Sequence, residues 1–464
     1  MRVGACILAV LMTRAGSVGG PGPALSPTPQ GNSAASAAAR QDPPRGQKWV
    51  ASWTASAQGP YPSGNPSAQP ALEAVFETPS SGASDQTFRL IIKPDLWGSV
   101  ARIRFTNTFG TRPLTLDGGF LGLHSSGGNL VSGTNRPVTF NGGRPGVVIP
   151  AGGSTYSDPV TLPFAGPRDV SRLAGRKLAV SFHTVGATGP MTWHAKALTT
   201  SYVTAPGAGI RGADESDAAF PHTTTSWYFV DAIDVIAPEA TIVVACFGDS
   251  ITDGTGSTLN GDDRWPDVLS RRLHEAYGGR VSVVNAGIGG NRVLSPAAST
   301  AEAPFAGGPS ALTRLDRDVL GIAGLSAVVW LEGINDISNG ASAADIIEGL
   351  KEGVKRIRAR GGIRVIGATI VSALGAAGPG GTPAADAQRQ EVNAFVREGN
   401  LFDGVADFDA VTRDPKTGEL RAAFQPGSTI GGPGDRLHPN RAGYQAMGTA
   451  IDLALVMPDA MNAR

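Results

Sequence analysis

Residues 241–258 read TIVVACFGDSITDGTGST, an apolar segment that runs into a turn with Gly, Asp and Ser. The run from Ile242 to Phe247 is continuously apolar or small and rich in β-branched side chains, which is typical of a strand buried in a parallel sheet. Gly248 then allows the chain to turn sharply. Because ligands of open α/β sheets bind outside the carboxyl ends of the strands, Ser250 stands where a nucleophile could act. Taken alone, however, a Gly-Asp-Ser tripeptide is more typical of an ordinary turn.

Further blocks of sequence support a function for this serine. Residues 281–292, VSVVNAGIGGNR, lead from a second apolar strand into a turn rich in Asn and Gly. Residues 325–338, LSAVVWLEGINDIS, contain a third strand that ends in Gly-Ile-Asn-Asp, and residues 435–439 read DRLHP. In this order and spacing, the blocks resemble those of the GDSL-type esterase/lipase superfamily, also called SGNH hydrolases. The resemblance covers about residues 240–456.

The resemblance implies a serine hydrolase site that needs neither a metal ion nor an organic cofactor. Ser250 would be the nucleophile, His438 its base, and Asp435 the acid that orients the imidazole. The backbone N–H groups of Ser250 and Gly290 and the side-chain amide of Asn335 would form the oxyanion hole. The predicted reaction is ester hydrolysis in two steps through an acyl-serine intermediate.

The residues themselves suit these roles. A neutral hydroxyl needs a neighbouring base, and His438 is favoured over His274, which falls inside an amphipathic helical pattern where a surface position is expected. Asp435 precedes His438 by three residues, so one turn of backbone can bring its carboxylate to the ring. Gly290 has no Cβ and permits close approach of a substrate. Asn335 follows an apolar strand that would hold its amide rigidly.

One block departs from the family pattern. Ile334 stands where many relatives have a second glycine, which bears on substrate shape more than on the chemistry. Two acidic residues, Asp249 and Asp336, neighbour the functional positions. We interpret both as hydrogen-bond acceptors that shape loops rather than as proton carriers.

After residue 240 the pattern alternates between strands and helices. Helices are predicted at residues 264–277, 343–360, 386–398 and 440–456. After the first strand, which ends at Phe247, further strands are predicted at 281–284, 327–331, 365–371 and 406–408. This alternation predicts an α/β domain at residues 240–458, with a parallel sheet covered by helices on both faces. The resemblance implies its three-layer, flavodoxin-like form.

Residues 48–237 show a different pattern. Short strand candidates are separated by Gly, Pro and Asn at short intervals, and residues 101–106, ARIRFT, alternate with period two. The absence of long helical patterns predicts an all-β, jelly-roll-like sandwich domain. Four aromatic side chains could stack on sugar rings, although core or domain-interface positions are favoured: Trp97, Trp193, Trp227 and Tyr228. Three histidines show no metal-ligand spacing and are expected to be structural: His183, His194 and His222.

The composition excludes several classes of protein. The chain of 464 residues has 39 Lys plus Arg and 39 Asp plus Glu, so its formal net charge is zero and nothing would attract nucleic acid. No apolar run reaches the roughly 20 residues that span a bilayer, so integral membrane association is not expected. The two cysteines, Cys6 and Cys246, give no disulfide framework and no metal site. Cys246 is predicted to be an inert core thiol.

The N-terminal segment has two parts. Residues 1–14 include one early positive charge and a short apolar run, which resembles a secretory signal, with an unstructured tail as the alternative. A secreted or extracytoplasmic location is therefore expected. Residues 15–47, rich in Gly, Pro, Ala and Ser, are predicted to be a disordered linker.

These observations favour a carboxylesterase that acts on short acyl esters. The first alternative is a carbohydrate O-acetylesterase, with the β-domain holding a polysaccharide. A second, non-enzymatic alternative is a carbohydrate-binding surface protein with a degenerate hydrolase domain. The substrate would be a small-molecule or glycan ester, and the acyl group, the alcohol and the oligomeric state stay open.

Overall fold

The structure is a computed structural model that describes residues 42–166 and 169–457. The predicted secretory signal at residues 1–14 and all but the last six residues of the predicted linker at 15–47 lie outside these residues. The described chain has an antiparallel N-terminal region followed by a parallel α/β region. Both regions belong to one compact unit.

The N-terminal region consists of short antiparallel strands. Its elements are β1 Gln47–Thr54, β2 Gly59–Pro60, β3 Ser84–Ile92, β4 Val100–Thr106, β5 Leu114–Leu123, β6 Arg136–Pro137, β7 Val147–Ile149, β8 Ser154–Tyr156, β9 Val160–Thr161, the helix α1 Val170–Leu173, β10 Leu178–Ala187, β11 Thr192–His194, β12 Ser201–Val203, β13 His222–Thr224, β14 Trp227–Tyr228 and β15 Val230–Pro238.

These strands form a sandwich. One sheet has the order β1-β15-β4-β8, and the facing sheet has the order β13-β12-β3-β10-β5-β6. The rings of Phe105 on β4 and Phe182 on β10 meet edge to face with their centroids 5.4 Å apart, so side chains of both sheets fill one core. A short third sheet has the strand order β14-β11-β2. Phe229, with a φ of +58°, separates β14 from β15.

The C-terminal region alternates strands and helices. Its elements are β16 Ile242–Gly248, α2 Ser250–Asp253, α3 Trp265–Tyr277, β17 Val281–Gly287, α4 Ala311–Leu315, β18 Leu325–Leu331, α5 Ile334–Ser338, α6 Ala343–Ala359, β19 Arg364–Ala368, α7 Pro383–Glu398, β20 Gly404–Ala406, α8 Phe408–Thr412, α9 Arg441–Ala450 and α10 Leu453–Val456.

The C-terminal sheet is parallel throughout, with the strand order β17-β16-β18-β19-β20. In chain order this is 2-1-3-4-5, the flavodoxin-like arrangement, whose direction of winding reverses between β16 and β18. The predicted fold class, a flavodoxin-like parallel domain after an antiparallel one, is confirmed. Ligands of such sheets bind at the point of reversal, which is the carboxyl end of β16.

Several predicted elements differ in their bounds, and in three of them side chains that compete for backbone groups are the reason. The strand predicted to run to residue 371 ends at Ala368, since Asn393 Oδ1 accepts the N–H of Ile370 at 2.7 Å. Phe408 begins a helix instead of ending a strand. The helix predicted over 440–456 is two helices, because Asp452 caps α10 by accepting the N–H of Ala454.

The two regions share part of their core. Val50 and Trp53 of β1 belong to the same apolar cluster as Val243 and Val284 of the parallel sheet. Ala51 N–H donates to Ala323 O at 2.9 Å, across the same boundary. The N-terminal region therefore packs directly against the edge of the parallel sheet. Within the described residues, no helix is long and apolar enough to cross a membrane.

Candidate active site

Ser250 occupies the turn that follows β16. It is the first residue of the short helix α2 and is 7% exposed. Asp249 caps this helix, since its carboxylate accepts the N–H of Ile251 at 2.9 Å. A Cβ at Gly248 would lie 2.2 Å from Leu331 O, so the turn requires glycine. The strand end therefore places the Ser250 hydroxyl at the point where the sheet reverses its winding.

His438 and Asp435 lie beside this serine. Ser250 Oγ and His438 Nε2 are 2.7 Å apart, and His438 Nδ1 and Asp435 Oδ2 are 2.5 Å apart. With the proton on Nδ1 donated to Asp435, the Nε2 lone pair faces the serine hydroxyl. The structure thus brings the three residues predicted from sequence into one hydrogen-bonded line.

The short Asp-x-x-His spacing is made possible by a tight turn. The other oxygen of Asp435, Oδ1, accepts the backbone N–H groups of Leu437 at 3.0 Å and His438 at 2.8 Å. Arg436 between them has a φ of +63°. Burial raises the pKa of Asp435, but the hydrogen bonds and charge of His438 outweigh it and lower this pKa below its usual range. Asp435 is therefore an anion that holds both the turn and the ring.

The predicted oxyanion donors stand at the carboxyl ends of neighbouring strands. Gly290 follows β17 with a φ of +82°, a conformation that favours glycine. Asn335 follows β18, and its amide donates to Asn291 O at 2.9 Å. An amide has two N–H bonds, so one stays free for a ligand. Among the described residues, the backbone N–H groups of Ser250 and Gly290 have no hydrogen-bond acceptor.

Asp249 and Asp336 both accept backbone N–H groups, as the loop-shaping interpretation predicts. Asp336 accepts the backbone N–H groups of Val293 at 2.8 Å and Leu294 at 3.0 Å and so orders the turn after Gly290. Burial raises the pKa of Asp249 to about 7, while the N–H of Ile251 lowers it in part. Ile334, the departure from the family pattern, packs in the core at 2% exposure.

A buried arginine that the sequence did not reveal ties these strand ends together. Arg314 of α4 is 1% exposed. Its guanidinium donates to Gly248 O at 2.8 Å, to Ala286 O at 2.8 Å and to Asn291 Oδ1 at 2.7 Å. These bonds join the ends of β16 and β17 to the turn that carries Gly290. In sequence, Arg314 resembles any helical arginine, so no signal distinguishes it.

The N-terminal region also reaches the site. Asn65 Nδ2 donates to Gly289 O at 2.9 Å, and Lys196 Nζ donates to Asn65 O at 2.6 Å. His194 Nε2 lies 3.1 Å from Asp253 Oδ1, in the helix that begins with Ser250. Burial lowers the pKa of Lys196, and the charge of Asp253 raises it in part. These residues are remote from Ser250 in sequence, so spacing alone could not identify them.

A cleft of about 440 Å³ adjoins His438. Both regions of the chain contribute to its wall, which consists of short side chains, glycines and prolines with one exposed aliphatic side chain. The lining includes Pro66, Ser67, Ala68, Thr255, Gly256, Thr429, Ile430, Pro433, Asp435 and His438. The volume suits a small ligand.

The other candidates from sequence lie in the core or in ion pairs. The four aromatic side chains considered for sugar stacking are buried, with exposures of 8% or less: Trp97, Trp193, Trp227 and Tyr228. His274, expected at the surface, is only partly exposed, and its Nε2 lies 2.9 Å from Asp95 Oδ2. His183 lies between Asp117 and Asp85, at 2.6 and 3.1 Å. Cys246 is fully buried, as predicted.

Within residues 42–166 and 169–457, no group of three or more His, Cys, Asp or Glu side chains is arranged to hold a metal ion. The third histidine from the sequence analysis, His222, is partly exposed on β13.

The α/β region is similar to one family of known proteins. Residues 246–446 match the model of the GDSL-like Lipase/Acylhydrolase family. A search of curated proteins found no match.

Among solved structures, an aryl esterase from M. smegmatis is 17% identical with a TM-score of 0.34, and a carbohydrate acetylesterase from Sinorhizobium meliloti is 15% identical with a TM-score of 0.34. A member of the lipolytic protein G-D-S-L family from Veillonella parvula DSM 2008 is 20% identical with a TM-score of 0.32. Each match covers 45% of this chain and 96% of the other. Likeness at this level leaves the substrate open.

Proposed function

We propose that the protein is a hydrolase that cleaves carboxylic esters with Ser250 as its nucleophile. The match of residues 246–446 to the model of the GDSL-like Lipase/Acylhydrolase family supports this proposal. The observation that carries the proposal is the line of contacts from Ser250 Oγ to His438 Nε2, 2.7 Å, and from His438 Nδ1 to Asp435 Oδ2, 2.5 Å. A serine hydroxyl becomes a nucleophile when a base takes its proton, and an oriented imidazole is that base.

The first step forms an acyl-serine. Ser250 Oγ attacks the carbonyl carbon of the ester while its proton passes to His438 Nε2. The carbonyl oxygen becomes an oxyanion, which the N–H groups of Ser250 and Gly290 and the free N–H of Asn335 would stabilise. The intermediate collapses when the C–O bond to the alcohol breaks, and His438 gives its proton to the departing oxygen.

The second step releases the acid. His438 Nε2 takes a proton from water, whose oxygen attacks the acyl carbon and forms a second tetrahedral intermediate. The bond to Ser250 Oγ then breaks, and the proton returns from His438 to the serine. The Asp435 carboxylate stabilises the imidazolium in both steps and remains ionised, in line with its lowered pKa.

We infer a short acyl ester as the substrate class from the cleft beside His438, whose lining includes His438 and Asp435 but not Ser250. Its volume of about 440 Å³ lies toward the lower end of the roughly 300–1,000 Å³ typical of ligand pockets. The wall consists mainly of small side chains. Acetylated polysaccharide is the second substrate class to test. The aromatic side chains that could have stacked on its sugar rings are buried.

The test compares the wild type with Ser250→Ala on p-nitrophenyl esters of increasing acyl length. We expect the highest kcat/KM at acetate or propionate and a loss of at least about 10⁴-fold in kcat for the variant. Ser257→Ala is the matched control, because Ser257 is also buried and its hydroxyl has no partner among the described residues.

Two results would overturn the proposal. One is a folded Ser250→Ala protein that keeps most of its activity. The other is a wild type that neither hydrolyses any ester nor reacts with a fluorophosphonate at Ser250, which would favour a degenerate domain. A higher kcat/KM on acetylated polysaccharide than on p-nitrophenyl acetate would instead refine the substrate.

A further inference from the structure

The peptide that joins Gly289 and Gly290 carries one of the proposed oxyanion donors. A peptide unit is planar, and its C=O and N–H point in opposite directions. Whatever fixes the Gly289 carbonyl therefore also fixes the direction of the Gly290 N–H. The bond from Asn65 Nδ2 to Gly289 O, 2.9 Å long, does this from the antiparallel region.

The position of Asn65 is itself restrained. It lies in the loop that follows β2, where Trp193 Nε1 donates to Ser63 O at 3.0 Å. Lys196 Nζ donates to Asn65 O at 2.6 Å and to Ser67 Oγ at 3.2 Å. Both Trp193 and Lys196 are buried, at 2% and 3% exposure. The loop therefore presents the Asn65 amide from a fixed place.

The other side of Gly289 is held as well. Its N–H donates to Asp253 Oδ2 at 2.8 Å, and Asp253 Oδ1 lies 3.1 Å from His194 Nε2. A Cβ at Gly290 would come within 2.8 Å of Asn65 Nδ2, so the asparagine packs tightly against the donor residue. Asn65 thus fixes the Gly289–Gly290 peptide, while Asp253 fixes the preceding Ile288–Gly289 peptide.

We propose that Asn65 is a positioning residue for the oxyanion hole, supplied by the antiparallel region to orient the Gly290 N–H. The inference rests on the proposed function, since an oxyanion forms only if Ser250 attacks an ester. A donor that is already aimed at the developing charge needs no reorganisation during the reaction, and this is the source of its catalytic effect. Loss of Asn65 leaves the Gly289 carbonyl to water and the peptide free to rotate.

This role differs from a purely structural one. Asn65 is exposed and lies outside the described strands and helices. Exposed substitutions of this kind change stability little. The effect of removing it should therefore appear in the transition state rather than in folding or in ground-state binding.

The experiment compares wild type, Asn65→Ala and Asn65→Asp, the last of which keeps the shape but replaces the donor by a carboxylate. The matched control is Asn135→Ala, because Asn135 also donates from Nδ2 to a backbone carbonyl, Gly212 O at 3.0 Å, within the antiparallel region. Readouts are kcat and KM for p-nitrophenyl acetate, the Ki of phenylboronic acid, which forms a tetrahedral adduct with an active serine, and Tm.

We expect Asn65→Ala to lower kcat by about tenfold and to raise the Ki of phenylboronic acid by a similar factor. KM should change by less than about twofold, and Tm should not change. Asn65→Asp should lower kcat further, because its carboxylate repels the Gly289 carbonyl. The control should match the wild type in all four readouts.

Three results would overturn the inference. Unchanged kcat and boronic acid affinity in Asn65→Ala, with an active wild type, would show that Asn65 does not position the donor. If Asn65→Ala lowered both kcat and Tm, and raised KM by the same factor as kcat fell, the role of Asn65 would be structural. A wild type that is inactive and unlabelled by fluorophosphonate would remove the proposed function itself, which the first two results leave intact.

Discussion

At the scale of single residues, Asp435 has two separable tasks. One oxygen holds the turn through the N–H groups of Leu437 and His438, and the other holds the imidazole of His438. An amide at this position can still accept the backbone N–H groups with its oxygen, but it would present an N–H to the ring. The substitution Asp435→Asn therefore separates folding of the loop from orientation of the base.

For Asp435→Asn we expect kcat to fall by about 10³- to 10⁴-fold, because the imidazole would take the wrong tautomer. Tm should change little, since the turn keeps its acceptor. The measurement is p-nitrophenyl acetate hydrolysis beside a thermal melt. Asp414→Asn is the control, because Asp414 accepts the N–H groups of Lys416 at 2.8 Å and Thr417 at 3.2 Å in a similar turn. An Asp435→Asn enzyme with near wild-type kcat would contradict the assigned role.

The residues that could be predicted from sequence are those that stand within a recognisable block. Ser250, Gly290 and Asn335 each follow an apolar strand, and the local pattern is enough to place them at one sheet edge. Arg314 and Asn65 could not be found in this way. Their importance depends on contacts with distant segments, and neither has a neighbour in sequence that marks it.

At the scale of elements, hydrophobic periodicity identified the helices of ten residues or more and the five strands of the parallel sheet, and polar side chains decided their ends. The helix predicted at 343–360 is α6 at Ala343–Ala359, and Ser342 caps it by accepting the N–H of Asp345. The periodic pattern could not show that Asp452 divides the last helix or that Asn393 ends β19. Such bonds join a side chain to a backbone group across the fold, and periodicity carries no information about them.

Helix α6 offers a test of how closely the elements pack. Gly353 lies on its buried face, and a Cβ there would be 2.3 Å from Cη2 of Trp330, which is 2% exposed. Alanine would gain about 1 kcal/mol in helix propensity, whereas overpacking a core costs about 1–3 kcal/mol. Because the Trp330 ring cannot move freely, we expect Gly353→Ala to lower the free energy of unfolding by about 1–2 kcal/mol.

Urea denaturation measures this change. The control is Lys355→Ala in the same helix, whose side chain is 79% exposed, and we expect it to shift the free energy of unfolding by less than about 0.5 kcal/mol. A Gly353→Ala protein that is more stable than the wild type would show that propensity outweighs the contact and that α6 has room to move away from β18.

At the scale of the whole molecule, the antiparallel region covers an edge of the parallel sheet. β17 is an outer strand, and an uncovered edge strand exposes backbone groups that can pair with other chains. Here Val283 N–H donates to Asp95 Oδ2 at 2.6 Å, and Thr54 Oγ1 donates to Asn285 O at 2.8 Å. The same contacts bring the loop with Asn65 to the site, so edge protection and the proposed positioning share one interface.

Asp95 contacts three residues of the α/β region across this interface. Besides Val283, it accepts the hydroxyl of Ser270 and the Nε2 of His274, which lies 2.9 Å from Asp95 Oδ2. The other ring nitrogen of His274 faces Gly278 O at 3.0 Å, so both nitrogens meet acceptors and the imidazolium fits best. Burial lowers the pKa of His274, but the bonds and charge of Asp95 outweigh it and raise this pKa above its ordinary value.

Removal of this carboxylate should therefore destabilise the protein in a pH-dependent way. A histidine with a raised folded-state pKa contributes stability that is fully present below its unfolded pKa of about 6.5 and is lost as pH rises through the folded value. We expect Asp95→Ala to lower the free energy of unfolding by about 3 kcal/mol at pH 6 and by less at pH 9, where only the Val283 and Ser270 bonds are missing.

Urea titrations of both proteins at the two pH values measure this difference. Asp316→Ala is the control, because Asp316 pairs with Arg356 at 2.8 Å but is 74% exposed, and exposed pairs contribute at most about 1 kcal/mol. A destabilisation by Asp95→Ala that is equal at pH 6 and pH 9 would show that His274 takes no part as a cation. The contribution of Asp95 would then rest on its bonds to the Val283 N–H and the Ser270 hydroxyl, and the loop that carries Asn65 would keep its place across this pH range.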